Sequence, residues 1–330
     1  MKFECAFKEY LQEEREWMLD KKCAHIEYSR LKEVLKSCQS CKQLHNSSDS
    51  ELDQHHLCRC QSCSSRDEKF FSELMKEASD IVGYFNSRAR QILHLHTATG
   101  MKSYVWRLSH CFKNDMQALE QEGRILIEYI AMNAIAMRKI LRKYDKVHNS
   151  VNGENFKSRM LADHIELLHS PWLIELGAFY LNFSGLDDCE LDVICGHFSC
   201  VLNIAEAKMT LRLPDSIKLE YHLTCAICLD LVFNPYALGC GHIFCKSCAC
   251  SAASVMIFEG LKAAGRESKC PICREVGVYS KPMQMLELDL LIKKRCKHYW
   301  KERLSDERVD MLHQSKVYWN MQYTHPTGLM

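Results

Sequence analysis

The sequence predicts a mainly α-helical chain: a bundle of long helices, followed by a small cysteine-rich module reached through a β-hairpin. Three observations predict it. Proline is the strongest helix breaker, and the first of only six prolines is Pro171. Before it, apolar residues recur at helical spacing over long stretches. After it, five cysteines and one histidine fall within the twenty-four residues from Cys225 to Cys248.

The elements follow in order. The opening segment, "MKFECAFKEYLQEEREW", reads as the first helix. The stretch Ser37–Asp67 is polar and lacks periodicity, so it reads as a long loop. Glu68–Leu93 is apolar at Phe71, Leu74, Met75, Ala78, Ile81, Val82 and Phe85, a helical stripe over several turns. Gln117–Lys146 is a second long helical region, read as one helix or two. His148–Phe156 reads as a turn, and Leu161–Phe183 returns to helix with a break near Pro171. Together these segments describe a helical bundle. Between Lys208 and Cys225, Met209, Leu211 and Leu213 alternate with polar residues, as do Ile217, Leu219, Tyr221 and Leu223 beyond Pro214 and Asp215. Period two on both sides of a turn predicts a β-hairpin.

Composition narrows the functional classes. The chain has 330 residues, with 43 basic against 42 acidic side chains. Such a balance gives no global attraction to nucleic acid or to an anionic membrane, so any charge-driven partner must be read locally. The charged opening lacks the apolar run of a signal peptide, and no stretch has the length and purity of a membrane span. An intracellular chain, cytoplasmic or nuclear, is expected. In that setting twenty cysteines point to metal ligands and free core thiols rather than disulfides.

The cysteine block carries the strongest signal. Cys225, Cys228, Cys240, His242, Cys245, Cys248, Cys270 and Cys273 form a CxxC, then CxHxxCxxC, then CxxC. Zinc takes four tetrahedral thiolate or imidazole ligands, and a CxxC turn brings two sulfurs to one ion. Eight ligands therefore predict two zinc ions; the spacing alone leaves their pairing open. Two other groups are weaker. Cys38, Cys41, His55, His56, Cys58, Cys60 and Cys63 have donors enough for a third metal, but an irregular spacing that suits a thiol-bearing loop better. Cys189, Cys195, His197 and Cys200 lack any CxxC and stand among apolar residues, as core thiols do.

The ligand order resembles that of RING fingers. The resemblance implies crosswise pairing, with Cys225, Cys228, Cys245 and Cys248 on one zinc and Cys240, His242, Cys270 and Cys273 on the other. RING fingers typically act as ubiquitin ligases, and the likeness extends to Ile227 and Pro271, which match the shallow groove that docks the ubiquitin-conjugating enzyme. Arg274 matches the cation that bridges that enzyme and ubiquitin, a task for a planar multi-donor group. The bland alternative is packing at Ile227 and a solvated charge at Arg274. The resemblance implies no nucleophile in this chain, only catalysis by positioning. One departure is the absence of a tryptophan between the sixth and seventh ligands; Met256, Ile257, Phe258 or Leu261 are the candidates to fill the groove in its place.

A zinc module does not choose a substrate, which turns attention to the helices. In Met137–Lys146, Met137, Ile140, Leu141 and Tyr144 share one side of a helix, while Lys139, Lys143 and Lys146 share the other, widened by Arg138 and Arg142. Alone, that is a solvated face. However, "MKF" at residues 1–3, "EYSRLK" at Glu27–Lys32, Phe70–Phe71 and "KILRKYDK" at Lys139–Lys146 occur in the order of SPX domains. The likeness implies an inositol-pyrophosphate site made by Lys2, Tyr28, Lys32, Lys139, Lys143 and Lys146, with Arg142 standing where family members carry a further lysine.

An SPX domain followed by a RING finger resembles the plant nitrogen-limitation-adaptation, or benzoic-acid-hypersensitive-like, ubiquitin ligases. The expected organisation is an SPX-like domain at 1–165, a helical linker and hairpin at 166–220, a RING finger at 221–280 and a helical tail at 281–330. The expected activity is ubiquitin transfer to phosphate or nitrate transporters at the plasma membrane, with a conjugating enzyme and ubiquitin as partners and inositol pyrophosphate as regulator. No nucleic-acid partner is expected, since no basic stripe accompanies the fingers. Self-association is left open, and the rival is a non-catalytic zinc scaffold that senses phosphate.

Overall fold

The computed structural model describes residues 3–13, 23–35, 61–97, 112–148, 151–162, 167–183, 198–202, 207–213 and 217–324. They form two compact units, 1–170 and 171–330. Among them, no helix is long and apolar enough to cross a membrane.

The first unit is helical: α1 (Phe3–Glu13), α2 (residues 28–35), α3 (Gln61–Thr97), α4 (Phe112–His148) and α5 (Asn152–Ala162). The α3 stripe is real and sharper than the sequence shows. Phe70, Leu74, Ala78, Ile81, Phe85, Ala89 and Ile92 are buried, while Phe71, Met75 and Val82 sit at its edge. Helix α3 starts at Gln61, so residues 61–67 are helix and not the end of a loop. Likewise α4 is one helix of 37 residues; it contains no proline, and the lone Gly123 costs only about 1 kcal/mol in a helix interior. The sequence-level turn at His148–Phe156 is also revised, because α5 begins at Asn152. Its cap comes from α4: Asp145 accepts the backbone N–H groups of Gly153 at 2.7 Å and Glu154 at 3.2 Å. A Cβ at Gly153 would lie 2.8 Å from the Leu141 carbonyl oxygen, so only glycine fits this close approach.

The stretch before α2 is strapped to the long helices. Fully buried Asn133 accepts the Ile26 N–H at 2.9 Å, Tyr129 donates its hydroxyl to the Ala24 carbonyl, and Glu77 accepts the Glu27 N–H at 3.2 Å.

The second unit begins with α6 (Pro171–Phe183), started by proline, which is well tolerated in a first helical turn. Three antiparallel strands follow in the order β1 (Phe198–Leu202), β2 (Ala207–Leu213) and β3 (Ile217–His222). The predicted hairpin is the β2–β3 pair, with Met209 opposite Tyr221 and Leu211 opposite Leu219. Strand β1 lies outside that prediction. Gly177 lets α6 lie on this sheet: a Cβ there would meet the Phe198 ring at 2.7 Å.

The cysteine-rich module is built on β4 (Pro235–Ala237), β5 (Ile243–Cys245), α7 (Lys246–Ala252) and β6 (Met283–Gln284), in sheet order β5-β4-β6. Helices α8 (Leu286–Arg295) and α9 (Lys297–Thr324) close the unit. Buried Glu175 of α6 caps α8, accepting the N–H groups of Glu287 and Leu288 at 3.0 Å each.

Candidate metal centre and basic cluster

Two turns of the same construction present half of the zinc ligands. In the first, the Leu229 N–H donates to the Cys225 carbonyl and the Cys225 N–H to the Asp230 carbonyl, both at 2.8 Å. In the second, the Arg274 N–H donates to the Cys270 carbonyl and the Cys270 N–H to the Glu275 carbonyl, both at 2.9 Å. Leu229 and Arg274 share a left-handed backbone, φ 62° and 61°. The other ligands come from ordered structure: Cys245 ends β5, Cys248 lies in the first turn of α7, and a turn at Gly241 (φ 84°) sets Cys240 beside His242.

These residues gather into two groups, Cys225, Cys228, Cys245 and Cys248, and Cys240, His242, Cys270 and Cys273, with the donor atoms of each within 4.8 Å of one another. The pairing is therefore crosswise. Tetrahedral zinc, with bonds of about 2.3 Å to sulfur and about 2.0 Å to nitrogen, sets sulfur–sulfur edges of about 3.8 Å and nitrogen–sulfur edges of about 3.5 Å. Cys228 Sγ lies 3.8 Å from Cys245 Sγ, and His242 Nδ1 lies 3.4 Å from Cys240 Sγ and 3.6 Å from Cys270 Sγ. The electrostatics agree. Hydrogen bonds from Cys245 and Cys248 hold the Cys225 thiol well below its usual range, and the same bonds push Cys245 and Cys248 up. Both groups suit zinc, which makes the module a zinc finger carrying two ions. Of the third-metal candidates, Cys38, Cys41, His55, His56, Cys58 and Cys60 lie outside the described residues and Cys63 falls in the first turn of α3, while Cys189, Cys195 and His197 also lie outside them; Cys200 is half-buried on β1.

Ligands that point inward leave the residues between them pointing out. Ile227 is 40 % exposed, and Pro271 and Arg274 are exposed. The structure adds Leu229, Ile272 and Val276, exposed apolar residues of the same two turns. Of the four groove candidates, Ile257 and Leu261 are buried and unavailable, because they anchor the loop between α7 and Cys270. Phe258 is exposed but packs edge-on against Tyr318 of α9, 5.7 Å between rings. Helix α9 also braces the first zinc group: Tyr299 donates its hydroxyl to the Leu231 carbonyl, and Arg303 Nη2 reaches Cys228 Sγ at 4.0 Å. Nothing in the sequence pattern of the tail signals this contact.

In the first unit, the start of α1 collects residues from α2 and α4. The Phe3 ring lies edge-on to Tyr28 at 5.4 Å, and Lys139 Nζ sits 4.3 Å above it. Lys32 follows Tyr28 by one helical turn and pairs with Glu4, which holds its ammonium group above the ordinary range. Burial pushes the Tyr28 hydroxyl up as well. Lys143 and Lys146 stand on the following turns of α4, half-buried and exposed respectively, and Lys2 lies outside the described residues.

Comparison with known proteins bears on the zinc module and on the chain as a whole. Residues 225–266 fit the RING-type zinc-finger family model, which stops short of Cys270 and Cys273. Among curated relatives, a probable E3 ubiquitin-protein ligase BAH1-like from Arabidopsis thaliana is 58 % identical, covering 99 % of this chain and all of its own. A probable E3 ubiquitin-protein ligase BAH1-like 1 from Oryza sativa subsp. indica is 51 % identical and the E3 ubiquitin-protein ligase NLA from Arabidopsis thaliana 41 %, each over the full length of both chains. No solved structure matches. With a two-zinc RING module and full-length relatives of this similarity, the chain belongs to the BAH1-like and NLA family of RING-type E3 ubiquitin-protein ligases.

Proposed function

We propose that this ligase presents a ubiquitin-charged conjugating enzyme to phosphate or nitrate transporters, under the control of an inositol pyrophosphate bound by its first unit. The observation that carries the regulatory part is the meeting of Tyr28 and Lys139 at the Phe3 ring, with Lys32 paired to the neighbouring Glu4 of the same helix. Three helices bring a phenol and several cations to one place, the chemistry that a dense cluster of phosphates requires. Lys143 and Lys146 extend it along α4. Glu4 neutralises Lys32 until a polyphosphate competes for it.

The transfer itself uses no nucleophile of this chain. Zinc in each group would fix the turn that supplies it, Cys225–Cys228 in one and Cys270–Cys273 in the other, and exposed Ile227 and Pro271 form an apolar seat for the conjugating enzyme. Arg274 extends a guanidinium toward ubiquitin, so that the thioester carbonyl is held in a reactive pose while a substrate lysine attacks and the enzyme thiol leaves. The expected location is intracellular, with recruitment to the plasma membrane by the substrate.

The test is autoubiquitination by untagged protein across a panel of conjugating enzymes, with and without an inositol pyrophosphate. Arg274→Ala and Ile227→Ala are expected to lose chain formation with zinc retained. Lys139→Ala/Lys143→Ala is expected to keep basal transfer and lose the response to the ligand. Full activity in the Arg274 variant would remove the bridging role, and an unchanged ligand response in the lysine pair would remove the sensor.

A further inference from the structure

The segment that leads from the first zinc turn into β4 is held by the tail of the chain. Tyr299 of α9 donates its hydroxyl to the Leu231 carbonyl, and the Trp300 ring lies 5.9 Å from that of Phe233. Asp289 of α8 accepts both the Asn234 N–H at 3.2 Å and the Trp300 Nε1–H at 3.1 Å. These contacts set the start of α9 against the first ligand group, and Arg303, one turn beyond Tyr299, faces its sulfurs. Arg303 Nη2 reaches Cys228 Sγ at 4.0 Å, and the same guanidinium interacts with Cys245.

This arginine is not placed as a solvated surface charge. It is half-buried, and its Nε–H is buried with no acceptor. Among the described residues no carboxylate forms an ion pair with it; Glu307, the acid one turn on, accepts from Asn234 Nδ2 at 3.1 Å instead. Burying part of a guanidinium away from acceptors and carboxylates is costly unless its surroundings are anionic.

The two ligand groups differ in charge in the matching sense. Four thiolates around a divalent ion leave a net charge of about −2, whereas three thiolates and an imidazole leave about −1. The backbone treats the groups alike: the Phe233 N–H donates to Cys245 Sγ at 3.2 Å in the first, and the Ile272 N–H to Cys270 Sγ at 3.4 Å in the second. The guanidinium sets them apart, since among the described residues no lysine or arginine hydrogen-bonds to a sulfur of the second group. The additional cation stands where the additional negative charge is.

We propose that Arg303 belongs to the first zinc site, where its guanidinium offsets the charge of the four-thiolate group and favours the metal-loaded form. Thiols must lose their protons to hold zinc, and a fixed cation beside them favours the thiolate. Partners of this kind, outside the ligand set, contribute about tenfold to hundredfold to metal affinity. Arg303 is thus a positioning residue that acts through Cys228, whose chain neighbours Ile227 and Leu229 are exposed. The effect on zinc stands by itself; its consequence for ubiquitin transfer rests on the docking role proposed for Ile227.

The test is zinc release from the full-length, zinc-loaded chain, driven by a chelator or by acid. Freed cysteines are alkylated with iodoacetamide and located by mass spectrometry, so that the two groups are read separately. Arg303→Met, which keeps the length of the side chain and removes its charge, is expected to expose Cys225, Cys228, Cys245 and Cys248 at a chelator concentration about tenfold lower than wild type. The same group is expected to open at a higher pH, because protons compete better for thiols that have lost a neighbouring cation. Cys240, Cys270 and Cys273 are expected to keep wild-type protection. Arg303→Lys, which restores the charge, is expected to recover most of the loss, and Arg308→Met, at an exposed arginine of the same helix, to change nothing. A first group as well protected in Arg303→Met as in wild type would overturn the proposal. So would equal loss from both groups, or a lysine variant as impaired as the methionine one, since either would assign Arg303 to the packing of α9. Chain formation by Ile227→Ala, measured with both groups loaded, reports on docking alone, so normal transfer there would remove the docking role and leave the zinc result standing.

Discussion

Asn133→Ala is expected to loosen the strap that holds α2 against the long helices. The side chain is 0 % exposed; its Oδ1 accepts the Ile26 N–H at 2.9 Å and its Nδ2 donates to the Tyr129 carbonyl at 2.8 Å. The Tyr129 carbonyl lies within α4 and keeps its helical partner, so its loss is small. Ile26 is also 0 % exposed, and its N–H would be left buried without an acceptor, at a cost of about 1–3 kcal/mol. The cavity left by the amide adds about 1 kcal/mol. Because the chain has two units, a single unfolding midpoint is a poor readout, and the exchange rate of the Ile26 amide is the better one. A local loss of about 2 kcal/mol corresponds to roughly thirtyfold faster exchange. Asn133→Leu, which fills the space without restoring the acceptor, should remain faster than wild type. Since residue 26 leads directly into Tyr28 and Lys32, both variants should also weaken the inositol-pyrophosphate binding proposed above. An Ile26 amide that exchanges at the wild-type rate in Asn133→Ala would refute the reasoning.

Further expectations follow from other contacts. Gly153→Ala forces a Cβ to within 2.8 Å of the Leu141 carbonyl oxygen and should destabilise the first unit by about 1–3 kcal/mol, whereas Gly83→Ala, with nothing within 4 Å, should stabilise it by about 0.5–1 kcal/mol, both read by amide exchange at buried positions of the first unit. Chelation should release two zincs per chain, abolish chain formation and unfold the module, while the far-ultraviolet signal of the first unit persists. Burial pushes the Glu175 carboxyl from 4.5 up to about 8, so the folded chain holds a proton that the unfolded chain has lost. That contribution is complete below the unfolded pKa and is lost as pH rises toward 8; Glu175→Gln should flatten this decline in the stability of the second unit.

What was legible in the sequence is whatever local spacing determines. The eight zinc ligands, the α3 stripe and the β2–β3 hairpin each follow from residues a few positions apart, and the structure places them as expected. What was not legible depends on partners distant in sequence. Asn152 and Gly153 read as a turn because their cap, Asp145, lies on the preceding helix. Ile257 and Leu261 read as surface candidates because nothing local shows that they anchor a loop inside the module. The short β1 is five residues that pair with β2 through Cys200 opposite Met209, and the cysteines and histidine around it masked its alternation. The inward face of α9 was hidden for the same reason: apolar residues occur all round it, and only contacts with the zinc module, such as those of Tyr299, Arg303 and Tyr318, mark it.

The two zinc turns separate what the metal needs from what the ligase needs. Leu229 and Arg274 occupy the same place in them, directly after the second cysteine, each left-handed and each exposed. A left-handed backbone costs a non-glycine residue about 1–2 kcal/mol, and in both turns the hydrogen bonds around the cysteines enforce it. The turn itself does not ask for a guanidinium, since leucine serves the first one equally well. The cation at 274 therefore answers to something outside the turn, and it stands exposed next to the exposed Pro271 and Ile272. That is the argument for testing Arg274 by chain formation and not by stability: a variant that keeps both zincs has lost nothing the turn requires, so whatever activity disappears with it belongs to the side chain alone.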